Sequence, residues 1–104
     1  MITVIIEIKV PPGETRESIV EKYTETAGTF RTIPGLIRKY YCVSADNDRV
    51  TTVNLWEAQE AVDAYHTPDW YTKLKERWGE PDRWMIYDTP IVVDNLNETT
   101  TTSP

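Results

Sequence analysis

The sequence predicts a two-layer α+β domain, a four-stranded antiparallel sheet with its helices on one face, in the order β-α-β-β-α-β. Three observations carry this. Residues 2–10 put a β-branched apolar side chain at every second position, Ile2 through Val10. Two helical stripes, over 14–30 and 58–78, each follow a strand-like run. Between them the hairpin Pro34–Glu57 carries large apolar groups on both faces.

The first strand shows Ile2, Val4, Ile6, Ile8 and Val10 on one side, and Pro11-Pro12-Gly13 ends it. From Glu14 to Phe30, Ile19, Val20, Tyr23, Ala27 and Phe30 recur at helical spacing, with Glu14 and Glu17 at the positive N-terminal end. In the hairpin, Leu36, Arg38, Tyr40 and Cys42 alternate with Ile37, Lys39, Tyr41 and Val43. On the return, Val50, Thr52, Asn54 and Trp56 alternate with Thr51, Val53, Leu55 and Glu57. A half-solvated antiparallel strand reads apolar-in and polar-out, so both faces of this one need cover. Helices cover one face, expected to be the Thr52, Asn54 and Trp56 side. A second copy of the sheet is the most economical cover for the other, which predicts a homodimer.

Ala58–His66 forms a second helix on Ala58, Ala61, Val62 and Tyr65. Thr67 reads as an N-cap and Pro68 as a first helical residue, so a third helix starts there and stops at Gly79. Its stripe is Trp70, Tyr71, Leu74 and Trp78. Arg83–Val93 is the last strand, and Pro90, with no ladder donor, marks a bulge, an edge or a handover point. Residues 1–96 thus form one ferredoxin-like domain. Residues 97–104, with Thr99 to Thr102 in a row, read as a polar, disordered tail.

The net charge of −6 argues against nucleic acid and anionic membrane as partners. No apolar run reaches membrane-spanning length, and the first residues read as a strand and not as a signal peptide, so a cytoplasmic protein is expected. A single cysteine, Cys42, allows no internal disulfide, and no metal-ligand spacing is present, so no metal is expected. Four Trp and six Tyr make the chain rich in groups that fill cores and also line pockets.

Four segments resemble the dimeric α+β barrel superfamily, the antibiotic-biosynthesis-monooxygenase-like proteins, and within it the small stand-alone members. These are Pro34-Gly35-Leu36-Ile37, Val53-Asn54-Leu55-Trp56-Glu57, the helix Ala58–Tyr65 and the run Tyr87–Asn95. The resemblance spans residues 2–95. It implies a homodimer with a pocket between sheet and helices in each subunit. It also implies oxygenation of a hydrophobic phenolic or enolic small molecule with no cofactor, or, in other branches, isomerisation or cyclisation by acid–base groups. Haem-degrading relatives carry a histidine well into the last helix, where this chain has Lys73 and Lys75.

The expected site residues follow. Trp56 matches the family's strand-end Trp and is either a pocket wall or core. Asn54, on the same face, is an orienting or donating group or part of a buried network. Quinone-forming members place an Asn where this chain has Thr52. His66, the only histidine, is a candidate base or a solvated helix-end residue. Trp70, Tyr71 and Trp78 form a stripe that lines a pocket or fills the core. Arg38 and Tyr40 share a face, so Arg38 is a pocket cation if that face meets the helices and a rim or interface charge if it does not. A ligand-binding or structural dimer without catalysis is the third reading.

Overall fold

A computed structural model describes residues 1–103. Strands β1 (Ile2–Lys9), β2 (Leu36–Val43), β3 (Arg49–Trp56) and β4 (Arg83–Asp88) form one antiparallel sheet in the order β2-β3-β1-β4. Helices α1 (Arg16–Ala27), α2 (Gln59–Tyr65) and α3 (Pro68–Trp78) accompany it. The alternation in β1 is literal: Ile2, Val4, Ile6 and Ile8 are buried and the residues between them are not. Removing such side chains from water contributes about 1.5–3 kcal/mol each. They join Ile19 and Tyr23 of α1, Val50 and Trp56 of β3, Val62 of α2 and Trp78 of α3 in one core.

The starts of α1 and α3 are set by short polar side chains. Thr15 caps α1 in a capping box with Ser18, whose N–H donates to Thr15 Oγ1 at 3.2 Å. Thr67 caps α3 by accepting from the Trp70 N–H at 3.2 Å, with Pro68 as first helical residue and Gly79 at the stop. After α1 the chain tightens into a 3-10 turn, Gly28–Thr32, which carries Phe30 inward.

Three local expectations need correction. Leu36 pairs with Trp56 but Arg38 with Leu55, so Ile37 is an extra residue in the ladder. This bulge moves Leu36 onto the helix-facing side, with Lys39, Tyr41 and Val43, and away from Arg38, Tyr40 and Cys42. The last strand does not run through Pro90. It ends at Asp88, and β5 (Ile91–Asp94) begins a second, two-stranded sheet. Nor is the threonine run in the tail free of structure: β6 (Thr99–Thr102) pairs with β5, Ile91 opposite Thr102.

The β5–β6 hairpin is tied to the sheet face opposite the helices. Asp94 accepts from the Arg38 guanidinium, and the Thr89 N–H donates to the Met1 carbonyl at 2.9 Å.

Candidate functional site

A cleft of about 240 Å³ lies between the sheet and the helices. Its floor is β-sheet. Lys39 and Tyr41 of β2 stand opposite Asn54 and Thr52 of β3, with Ile6 of β1 beside them. Its walls are rings: Phe30, Tyr65, His66, Trp70 and Trp78. They form a continuous system, with Tyr65–Phe30 centroids at 5.7 Å, His66–Trp70 at 4.5 Å and Tyr23–Tyr41 at 4.4 Å.

Two of the polar groups on this surface, Asn54 and His66, are held by backbone carbonyls. Asn54 is 4% exposed. Its Nδ2 donates to the Val4 carbonyl at 3.3 Å, and its Oδ1 accepts from Lys39 Nζ at 3.0 Å. His66 follows α2, and its Nδ1 lies 2.8 Å from the Val62 carbonyl. A carbonyl only accepts, so Nδ1 carries the proton and Nε2 is left as a bare acceptor in the neutral ring. Burial holds the His66 pKa below 6.5, and the charge of Lys39 pushes it the same way, against the Val62 hydrogen bond and Asp63. His66 is therefore neutral at physiological pH.

Lys39 is the residue that the sequence pattern hid. Its ammonium sits 4.0 Å from the Phe30 ring centroid and 5.0 Å from that of Tyr41. Among the described residues it has no carboxylate partner. Burial pulls its pKa down to about 8. A lysine in an alternating strand reads as a solvent-facing residue. The available signal was its period-two partnership with Tyr41 and Val43, two residues of a core face.

The expected site residues separate into three groups. Asn54, Thr52, His66, Trp70 and Trp78 line the cleft together. Trp56 and Tyr71 do not. Trp56 is 1% exposed and packs against Tyr65 and His66 at 5.4 and 5.8 Å, supporting the wall without forming its surface. Its Nε1 is buried with no hydrogen-bond partner among the described residues. Tyr71 lies outside, stacked on Trp84 at 6.2 Å, with its hydroxyl donating to Glu80. Arg38 and Tyr40 are excluded, because the period-two alternation puts them on the sheet's other face, where Arg38 holds Asp94. Among the described residues, no three His, Cys, Asp or Glu side chains gather where they could hold a metal ion.

The family model described as antibiotic biosynthesis monooxygenase matches residues 1–77. Solved structures share the fold at low identity. A candidate antibiotic biosynthesis monooxygenase from Nitrosomonas europaea is 21% identical, with 86% of this chain and 98% of that one covered and a TM-score of 0.66. SnoaB, a cofactor-independent oxygenase from Streptomyces nogalater, is 14% identical over 85% of this chain and 91% of its own, with a TM-score of 0.64. Rv0793 from Mycobacterium tuberculosis is 15% identical over 85% and 93%, with a TM-score of 0.65. Among functionally curated proteins, none matches.

Proposed function

Because the chain belongs to the antibiotic biosynthesis monooxygenase family, we propose that its cleft binds a flat, hydrophobic phenolic or enolic molecule and directs oxygen onto it without metal or flavin. The cleft itself carries this reading: an aromatic slot about 240 Å³ in volume with Asn54 on its floor and a neutral His66 on its wall. The description of SnoaB, a protein of the same fold, as a cofactor-independent oxygenase supports it.

The chemistry asks little of the protein. A phenol or enol that has lost its proton can itself give an electron to oxygen. For a reactive CH₂ in such a system, O₂ enters, one atom stays on carbon as C=O and the other leaves as water with the two hydrogens. The protein must hold a flat ring, take a proton and exclude water. Phe30, Trp70 and Trp78 stack, Nε2 of His66 takes the proton, and Asn54 holds the polar floor against which the substrate oxygen is oriented. Asn54 does this two residues from Thr52, which occupies the position of the family's Asn.

The test is oxygen uptake with anthrone-like and hydroquinone substrates on chelator-treated protein. Uptake is expected to survive chelation and to fall about 10²-fold or more in Asn54→Ala. Complete loss on chelation, or no uptake across a broad panel, overturns the reading. The bare Nε2 of His66 also favours a second one, an isomerase or cyclase, because acid–base chemistry needs nothing more. Turnover under strictly anaerobic conditions would select it.

We also infer that the working unit is a homodimer joined through the sheet face opposite the helices. Tyr40 and Tyr87 on that face are half exposed, as are Ile91 and Val93 on the hairpin beside it.

A further inference from the structure

In a chain with net charge −6, the cleft lining includes Lys39, Lys73 and Arg77 and no Asp or Glu. Two of these cations are already engaged: Arg77 with Glu25 at 2.6 Å and Lys73 with Asp69 at 3.1 Å. Lys39 is not. It is part-buried beside Phe30 and Tyr41, and its hydrogen-bond partner is the neutral Asn54 amide. A charge withdrawn from water without a counter-ion is costly, and an arriving anion relieves that cost.

We propose that Lys39 is a catalytic residue that binds the ionised oxygen of the cleft's ligand, so that the ligand class is a flat aromatic or enolic acid whose hydroxyl loses its proton on entry. This rests on the reading of the cleft given above. The ligand's O–H bond breaks, and its oxygen keeps the electron pair and faces the Lys39 ammonium. The proton passes to Nε2 of His66, the unprotonated ring nitrogen on the wall, and from there to solvent. The Asn54 carboxamide fixes the ammonium at the cleft floor and its Nδ2 remains bonded to Val4. The rings then hold the ligand in an apolar slot, where the ammonium–oxyanion attraction is stronger than in water. An aromatic without an ionisable group satisfies the rings and leaves Lys39 unpaired.

The experiment is optical and needs no oxygen chemistry. 4-Nitrophenol changes colour on ionisation, and nitrobenzene is its non-ionisable counterpart. Bound to the wild type, 4-nitrophenol is expected to ionise about one pH unit or more below its free value, a roughly tenfold preference for the phenolate. In Lys39→Met that preference is lost or reversed, while nitrobenzene binds within about twofold of wild type. Lys39→Arg keeps the phenolate preference. Should Lys39→Met not fold, calorimetry of the wild type in two buffers of different ionisation enthalpy serves instead. It is expected to show release of about one proton per bound 4-nitrophenol below the ligand's own pKa, and none for nitrobenzene. A phenolate preference unchanged in Lys39→Met, or binding without proton release, overturns the assignment to Lys39 and leaves the cleft reading standing. Failure of both compounds to bind overturns the two together.

Discussion

Lys39 on β2 and Asn54 on β3 face each other across one strand pair, Nζ donating to Oδ1 at 3.0 Å, and this contact places a cation on the floor of an aromatic cleft. The placement has a thermodynamic signature. Burial lowers the folded-state pKa of Lys39 from 10.5 to about 8, so between these values the unfolded chain binds the proton more tightly. Stability must therefore rise with pH across that window. Tyr23, Tyr41 and Tyr65 have raised values, Tyr65 to about 12, all through burial, so above about pH 10 stability falls again. The expected profile from denaturant unfolding has its maximum between about pH 8 and 10. In Lys39→Met the rising limb disappears. At neutral pH its net stability changes little, because relief of the buried charge, of order 1–3 kcal/mol, is offset by an unsatisfied Asn54 Oδ1 at about 1–3 kcal/mol. A rising limb that persists in Lys39→Met would contradict this.

His66 supplies the second pH dependence. Its folded pKa lies below 6.5, mainly through burial. Only the neutral ring offers a free Nε2, so the acid limb of kcat/KM is expected to have its midpoint below 6.5, with activity rising through it as pH increases. The linkage runs the same way: the unfolded chain binds the proton more tightly, so stability is lost as pH falls from 6.5 through the folded value. His66→Ala should lower kcat by about 10²–10⁴-fold and remove the acid limb, with melting still cooperative. A limb unaltered in that variant assigns it to another group.

Gly35 sets how closely α2 approaches the sheet. Its φ is +80°, and a Cβ there would lie 2.4 Å from the Cβ of Ala61. Its carbonyl accepts from the Glu57 N–H at 2.8 Å, joining the start of β2 to the entry of α2. Gly35→Ala meets both a left-handed backbone and a clash with a short side chain that cannot turn away. The expected cost is roughly 2–4 kcal/mol in unfolding free energy. Because α2 leads into His66, kcat should fall as well, which pairing the unfolding curve with turnover will show.

How much of this was legible in the sequence depends on the length scale of the signal. The β1 face and the Thr67-Pro68 helix start were legible because periodicity and capping are local. The bulge at Ile37 was not, since one extra residue leaves no compositional mark and shifts only Leu36 across the sheet. The β5–β6 hairpin was hidden by its composition: a threonine run satisfies a strand as well as a tail, and pairing with Ile91–Asp94 decides. Lys39 was masked by its charge. Alternation separates it from Arg38, but only the pairing of β2 with β3 decides which of the two enters the cleft and which holds Asp94.

The opposite sheet face makes the last prediction. Tyr40 and Tyr87 are 50% and 52% exposed there, and Val53 and Leu55 lie between their strands in a gap that the β5–β6 hairpin leaves unfilled. Aromatic groups left half wet over an apolar floor gain most from a partner surface of the same kind, because a two-fold interface presents the same patch from both sides. Light scattering is therefore expected to report a dimer. Tyr40→Glu with Tyr87→Glu would put like charges across the two-fold axis and leave carboxylates unpaired in the apolar centre, weakening association by about 10²-fold or more. These positions face away from the core, so the double variant should keep its cooperative unfolding and its cleft. A wild type that is monomeric across the accessible concentration range, or a double variant that remains dimeric, would place the interface elsewhere.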